Sequence, residues 1–208
     1  MTPLRALLID LDGVLRLWSL ENDRRAEETH GLPPGALRRT AFAPELLRPA
    51  ILGTVTDREW RHSVAARLRA LFPTAAAEAA VRQWSVSVGA VDGAVLALVA
   101  ACRRRGAAVL VTNATSRLAE DLGRLGLGEA FDAVVNSSAV GCAKPELAIY
   151  RAALAAARVE AGEAGFVDDT PANVAAARTA GIPSHLYRGA KALEDQLRDW
   201  GLLSREGA

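Results

Sequence analysis

ALLIDLDGVLRLW, residues 6–18, decides how the chain is read. Four apolar residues run into Asp10, and Asp12 follows one residue later. A run of this kind, with no polar alternation, suits a strand buried on both faces. Two carboxylates at its tip repel each other, and each resists desolvation. A bound cation is the natural compensation. An EF-hand-type calcium loop does not fit, because Gly13 is the fourth residue from Asp10 and such a loop needs its glycine at the sixth. Taken alone, the same residues also fit a simple turn.

Outward from this stretch, four more short apolar runs read as strands, at 107–112, 133–136, 164–168 and 184–187. Helical patterns lie between and around them, at 91–105, 117–125, 146–158 and 171–180. This alternation predicts an α/β fold, a Rossmann-like parallel sheet with helices on both faces. Residues 16–90 differ. They show no strand pattern, but a loop-like HGLPPGAL (residues 30–37) and helical runs at 38–47, 57–71 and 75–86. The expected organisation is a core of residues 1–15 and 91–208 with a small helical cap of residues 16–90, leaving the sheet beside the carboxylates. Leu193, Leu197 and Trp200 fall on one helical stripe that would dock a terminal helix on the core.

Composition narrows the classes. Of 208 residues, 25 are basic and 24 acidic, so a net charge of +1 argues against nucleic acid as the main partner. The run Arg103-Arg104-Arg105 precedes Gly106 and reads as cations at a helix C-terminus. Two cysteines without CxxC spacing suggest neither a disulfide scaffold nor a zinc site, and Cys142 reads as packing. The first apolar run ends in acids, unlike a signal peptide, and the longest is far below membrane-spanning length. The expectation is a cytoplasmic protein with no membrane partner.

In open α/β sheets, ligands bind beyond the carboxyl ends of the strands. Those ends carry Asp10 and Asp12, then Thr112 and Asn113, then Asp168 and Asp169, with Lys144 following the third strand by a loop. Four acids on one rim call for a hard divalent cation with oxygen ligands, and Mg²⁺ is the usual one where phosphate completes the shell. Lys144 and the Thr112 hydroxyl would hold phosphate oxygens. A carboxylate nucleophile forms an aspartyl-phosphate, and the cations offset its repulsion from the phosphate. The two-residue spacing lets Asp10 attack while Asp12 reaches the leaving group.

In their order, four segments resemble the motifs of the haloacid dehalogenase-like superfamily: DLDGVL (10–15), VTNAT (111–115), Lys144-Pro145 and VDDTPANVAAARTAGI (167–182). The helical segment after the first resembles the small cap of one subgroup. The resemblance implies roles. Asp10 would be nucleophile and metal ligand. Asp12 would be general acid, then general base, with its backbone carbonyl on the metal. Thr112, the Asn113 backbone N–H and Lys144 would bind the phosphoryl group. Asp169 would ligate the metal directly, Asp168 through water, and Asn173 would orient metal-bound water or the lysine. The implied activity is Mg²⁺-dependent hydrolysis of a small phosphorylated metabolite. A β-phosphoglucomutase-type mutase, a 2-haloacid dehalogenase and a non-enzymatic binding relative are the alternatives. Dehalogenases of the family usually lack an acid at the position of Asp12, and a binding relative would be expected to lose one of Asp10, Asp12, Lys144 or Asp169.

Outside the motifs, Trp18 is placed to line a cavity, whereas Trp60 and Trp84 read as cap core. Arg24, Arg25, Arg48, Arg58 and Arg61 admit two readings, substrate contacts or a solvated face. His185 reads as structural.

Overall fold

The computed structural model describes residues 4–73 and 75–204. In chain order its elements are β1 (Ala6–Ile9), β2 (Arg16–Leu17), α1 (Glu21–His30), α2 (Ala36–Ala41), α3 (Pro44–Ile51), α4 (Asp57–Leu71), α5 (Ala77–Trp84), β3 (Ala90–Val91), α6 (Gly93–Arg103), β4 (Ala107–Thr112), α7 (Leu118–Arg124), β5 (Ala133–Asn136), α8 (Ser137–Val140), α9 (Leu147–Ala157), β6 (Ala164–Asp168), α10 (Pro171–Thr179), β7 (Ser184–Leu186) and α11 (Ala190–Asp199). A single 3₁₀ turn, Ala161–Glu163, precedes β6. No described helix is long and apolar enough to cross a membrane.

Five strands form one parallel sheet in the order β5-β4-β1-β6-β7. Every residue of β1 and β6 is buried, as expected for strands covered on both faces. Alternate residues feed opposite sides. Leu7, Ile9, Leu110 and Val167 join a cluster with Val95 and Val99 of α6, Leu122 of α7 and Leu193 and Leu197 of α11. Leu8, Val109, Val111 and Phe166 join another with Ile149, Tyr150 and Ala153 of α9 and Ala177 of α10. Ile9 pairs with both Leu110 and Val167, so β6 runs one residue and β4 two residues past the end of β1. The Asp10 N–H still donates to the Val167 carbonyl, at 2.9 Å, which fixes the first carboxylate at the sheet edge.

Gly165 of β6 lies under Trp200, which follows α11. A Cβ there would stand 2.4 Å from Trp200 Cε3 and 2.5 Å from Cζ3. Gly165→Ala is expected to lower unfolding free energy by about 1–3 kcal/mol, the usual cost of overpacking. Urea titration checks this.

Helices α1–α5 pack round a separate cluster that includes Leu37, Trp60, Val64, Leu68 and Val81. The insert is not free of strands. β2 and β3 pair antiparallel at its two ends, and the Asp92 N–H donates to the Leu15 carbonyl, at 2.9 Å. Two residues per strand are too few for a periodic pattern. Helix α1 also escaped the periodicity. Ala26 and Glu27 are its buried residues, so it shows no apolar stripe. It is held by Ala26 in the insert cluster, by Gly31 closing its end at φ 75°, and by Glu27 accepting from the N–H groups of Gly35 and Leu37, while Arg24 and Arg25 pair with Glu21 on its exposed face. The run expected at 38–47 is two helices, because Pro44 starts α3 and cannot continue α2. Helix α4 keeps the expected bounds, set by a capping box between Thr56 and Glu59.

Candidate active site

The adjoining strand ends bring the motif residues together. Lys144 is almost wholly buried, and its Nζ lies 2.6 Å from Asp10 Oδ1 and 2.7 Å from Asp168 Oδ2. Asp10, Asp168 and Asp169 each offer a carboxylate oxygen within 4.8 Å of the others. Burial pushes the Asp10 carboxyl above the ordinary carboxylate range; the Asp168 charge adds to this and Lys144 opposes it. Burial alone would lower the Lys144 pKa, but the two carboxylates outweigh it and the net shift is upward.

Each group has its own support. The Leu11 N–H donates to Asp10 Oδ1, at 2.7 Å. Asn173 Nδ2 donates to both oxygens of Asp168, at 3.0 and 3.1 Å, and the Thr170 N–H donates to Oδ1, at 2.8 Å. Tyr150 in turn donates its hydroxyl to the Asn173 carbonyl, at 2.8 Å. The Asn113 side chain has a task that its sequence position did not reveal. Its Oδ1 accepts from the Lys144 N–H at 2.8 Å and its Nδ2 donates to the Lys144 carbonyl at 2.9 Å, so it ties the second motif to the third. The Lys144-Pro145 bond is cis. Asp169 is exposed. A Cβ on Gly13 would fall 2.0 Å from its Oδ2, and Gly13 holds φ +79°, so the first motif needs glycine twice over at this position.

The Asp12 carboxylate lies outside the three-acid group. Arg16 grips it bidentately, Nε to Oδ1 at 2.7 Å and Nη2 to Oδ2 at 2.9 Å, and Trp18 Nε1 donates to Oδ1 at 2.6 Å. Arg16 also reaches Asp121 of α7, at 3.2 Å. Asp12 therefore faces a cavity of about 360 Å³ between the strand ends and the insert. Trp18, Trp60 and Trp84 all line it, so Trp60 and Trp84 are both insert core and cavity wall. Their rings meet edge to face at 5.7 Å.

Asp57 was not singled out in the sequence, yet it joins insert to core. It accepts from the Thr115 hydroxyl at 2.8 Å, and its N–H donates to Ser116 Oγ at 2.9 Å. Of the insert arginines, Arg24 and Arg25 pair with acids along exposed α1, Arg48 reaches Glu146 at 3.4 Å, and Arg61 lines the cavity. Cys102 is inert, its thiol pushed up to about 12 by burial.

The oxygen-only donor set fits a hard divalent cation. Three carboxylates against one ammonium leave the pocket electron-rich. The Thr112 hydroxyl oxygen is buried without a hydrogen-bond partner, as expected of a group reserved for a ligand.

Residues 4–181 match the family model of the haloacid dehalogenase-like hydrolases. The mouse haloacid dehalogenase-like hydrolase domain-containing protein 3 is 40% identical over 100 residues, which is 47% of this chain and 40% of the mouse protein. Its Xenopus laevis counterpart is 30% identical over 159 residues, 76% of this chain and 61% of that protein. The chain thus spans less than two thirds of the length of these relatives. A HAD family enzyme from Bacteroides thetaiotaomicron, in complex with magnesium and inorganic phosphate, shares the fold with a TM-score of 0.72 at 20% identity, over 89% of this chain and 94% of that one. So does the L-2-haloacid dehalogenase of Xanthobacter autotrophicus with chloropropionic acid covalently bound, with a TM-score of 0.62 at 17% identity, over 94% and 83%. With its motifs assembled on one rim and a family model matched over most of its length, the chain belongs to the haloacid dehalogenase-like hydrolases.

Proposed function

We propose that the chain is a Mg²⁺-dependent phosphomonoester hydrolase that works through an aspartyl-phosphate on Asp10 and acts on a small phosphorylated metabolite, with residues 16–90 as the cap over its cavity. The observation that carries this reading is the buried Lys144 bridging Asp10 and Asp168, with Asp169 within metal-sharing distance and the orphan Thr112 hydroxyl buried at the end of β4.

Asp10, Asp168 and Asp169 would hold Mg²⁺, which supplies charge neutralisation on the phosphoryl group. The remaining work falls to the chain itself. The bonds from Leu11 and Lys144 both land on Asp10 Oδ1, which leaves Oδ2 for attack on phosphorus. Lys144 offsets repulsion between the anionic nucleophile and the anionic phosphate. Thr112 donates its hydroxyl to a phosphoryl oxygen. Asp12, on the cavity wall, protonates the departing alkoxide and then takes a proton from the water that hydrolyses the acyl phosphate. Arg16 and Trp18 orient it for both steps.

Asp12→Asn keeps the shape of the side chain but cannot move that proton. Its kcat is expected to fall by about 10²–10⁴-fold, the usual share of general acid–base catalysis, with a modest drop in melting temperature because buried Arg16 keeps only Asp121 as a carboxylate partner. Steady-state kinetics on any accepted substrate checks this.

The reading is tested by phosphate release from a panel of phosphorylated metabolites, with Mg²⁺ and with EDTA. Release that requires Mg²⁺ is the expected result. Isomerisation of a sugar phosphate without phosphate release would make the protein a mutase. Halide release from 2-haloacids without phosphate release would make it a dehalogenase.

A further inference from the structure

On the outer side of the Asp57–Arg61 ion pair lies a second, more open cleft of about 470 Å³. Its walls come from both units: α4 and α5 of the insert, and α7 with its leading turn from the sheet side. Five arginines line it, Arg58, Arg61, Arg82, Arg117 and Arg124, against two carboxylates, Asp57 and Glu120. The activity proposed above makes no use of it.

Three of the arginines are already positioned. Arg61 donates from Nε to Asp57 and from Nη1 to Ser85 Oγ, both at 2.6 Å. Arg117 and Arg124 reach from α7 to the carbonyls of Ser85 and Val86, at 2.8 and 2.7 Å. These bonds satisfy the two carbonyls that follow α5 and latch insert to core, so a structural task accounts for them. It does not account for Arg58 and Arg82. Both are exposed, and neither has a hydrogen-bonding or ion-pair partner among the described residues. Glu120 is spread thin, at 3.8 Å from Arg117 and 4.0 Å from Arg124, and Asp121 is taken up behind the cleft by Arg117 and Arg16. The cleft therefore holds an excess of guanidinium groups, two of them unpaired and three held in place. Guanidinium forks match phosphate oxygens two at a time. One phosphate dianion balances the two unpaired guanidinium groups, but the cleft of about 470 Å³ has room for further linked phosphates against the three that are held in place.

The geometry points to a second anion site in this cleft, for a compound carrying two or more linked phosphates, distinct from the catalytic rim. Inorganic tripolyphosphate and a nucleoside triphosphate share that chemistry. An anion there touches α4, α5 and α7 together and strengthens the latch between insert and core. By linkage, its binding and the position of the insert must influence each other equally.

The test uses the full chain in EDTA, titrated with tripolyphosphate in a calorimeter. The Arg58→Ala/Arg82→Ala double variant is run beside it, and a melting curve confirms that the variant is folded. Both positions are exposed and lie off the catalytic cavity, so basal phosphate release is expected to be unchanged. The expected result is saturable binding with one site in the cleft, weakened at least tenfold in the double variant, and weakened further by added salt because the site is open to solvent. ATP in place of tripolyphosphate shows whether a nucleoside is also tolerated; binding of either compound with the same loss in the double variant supports the site. No saturable binding of either compound overturns the proposal. Equal affinity in wild type and double variant also overturns it, because the anion then sits elsewhere, Lys144 included.

Discussion

Replacing Asp10 with Asn is expected to abolish turnover and leave the fold standing. The amide has nearly the volume of the carboxylate and still accepts the Leu11 N–H through its oxygen. It cannot attack phosphorus. Loss of a nucleophile costs on the order of 10⁴–10⁶-fold in kcat when the other groups can only bind. Stability should change little, because Lys144 keeps Asp168 as counter-ion at 2.7 Å. A phosphate assay paired with thermal melting separates the two effects. Activity within tenfold of wild type would remove Asp10 from the nucleophile role.

Lys144→Ala carries the second large effect, and it falls on stability as well as activity. The ammonium is the charge between two buried carboxylates. Without it, Asp10 and Asp168 repel each other in a site that water barely reaches. Removing one partner of a buried ion pair costs about 3–5 kcal/mol, because the remaining charge is left without compensation. Arg5→Ala provides the contrast. Its pair with Glu163 is 64% and 37% exposed, and exposed pairs contribute about 0–1 kcal/mol. Urea titration should therefore show a large drop for Lys144→Ala and almost none for Arg5→Ala. Equal drops would mean that the buried triad has no special energetic role.

Much of this was legible in the sequence because of how the strands are buried. Strands covered on both faces read as unbroken apolar runs, so 107–112 and 164–168 carry their own boundaries, whereas edge strand 133–136 is half covered and reads as a run because its exposed residue is Val134. Their carboxyl ends then locate the rim without any coordinates. Side chains whose task is set by another part of the chain could not be read. Asn113 looks like any turn residue until Lys144 is found folded against it. Asp57 looks like the start of a helix until Thr115 and Ser116 arrive from the core. Arg16 stands four residues from Asp12, but it takes the turn closed by the Arg16 N–H on the Leu11 carbonyl, at 2.7 Å, to bring its fork back onto that carboxylate. Helix α1 was hidden for another reason. Its buried side chains are one alanine and one glutamate, and hydrophobic periodicity does not register those.

The most direct measurement is of the bond the mechanism requires. An accepted substrate is turned over with Mg²⁺, the reaction is quenched in acid during steady state, and the digested chain is mapped by mass spectrometry. A phosphoryl group is expected on the peptide that contains Asp10, absent in Asp10→Asn. Phosphate released at full rate with that peptide unmodified in every quench would contradict covalent catalysis by Asp10.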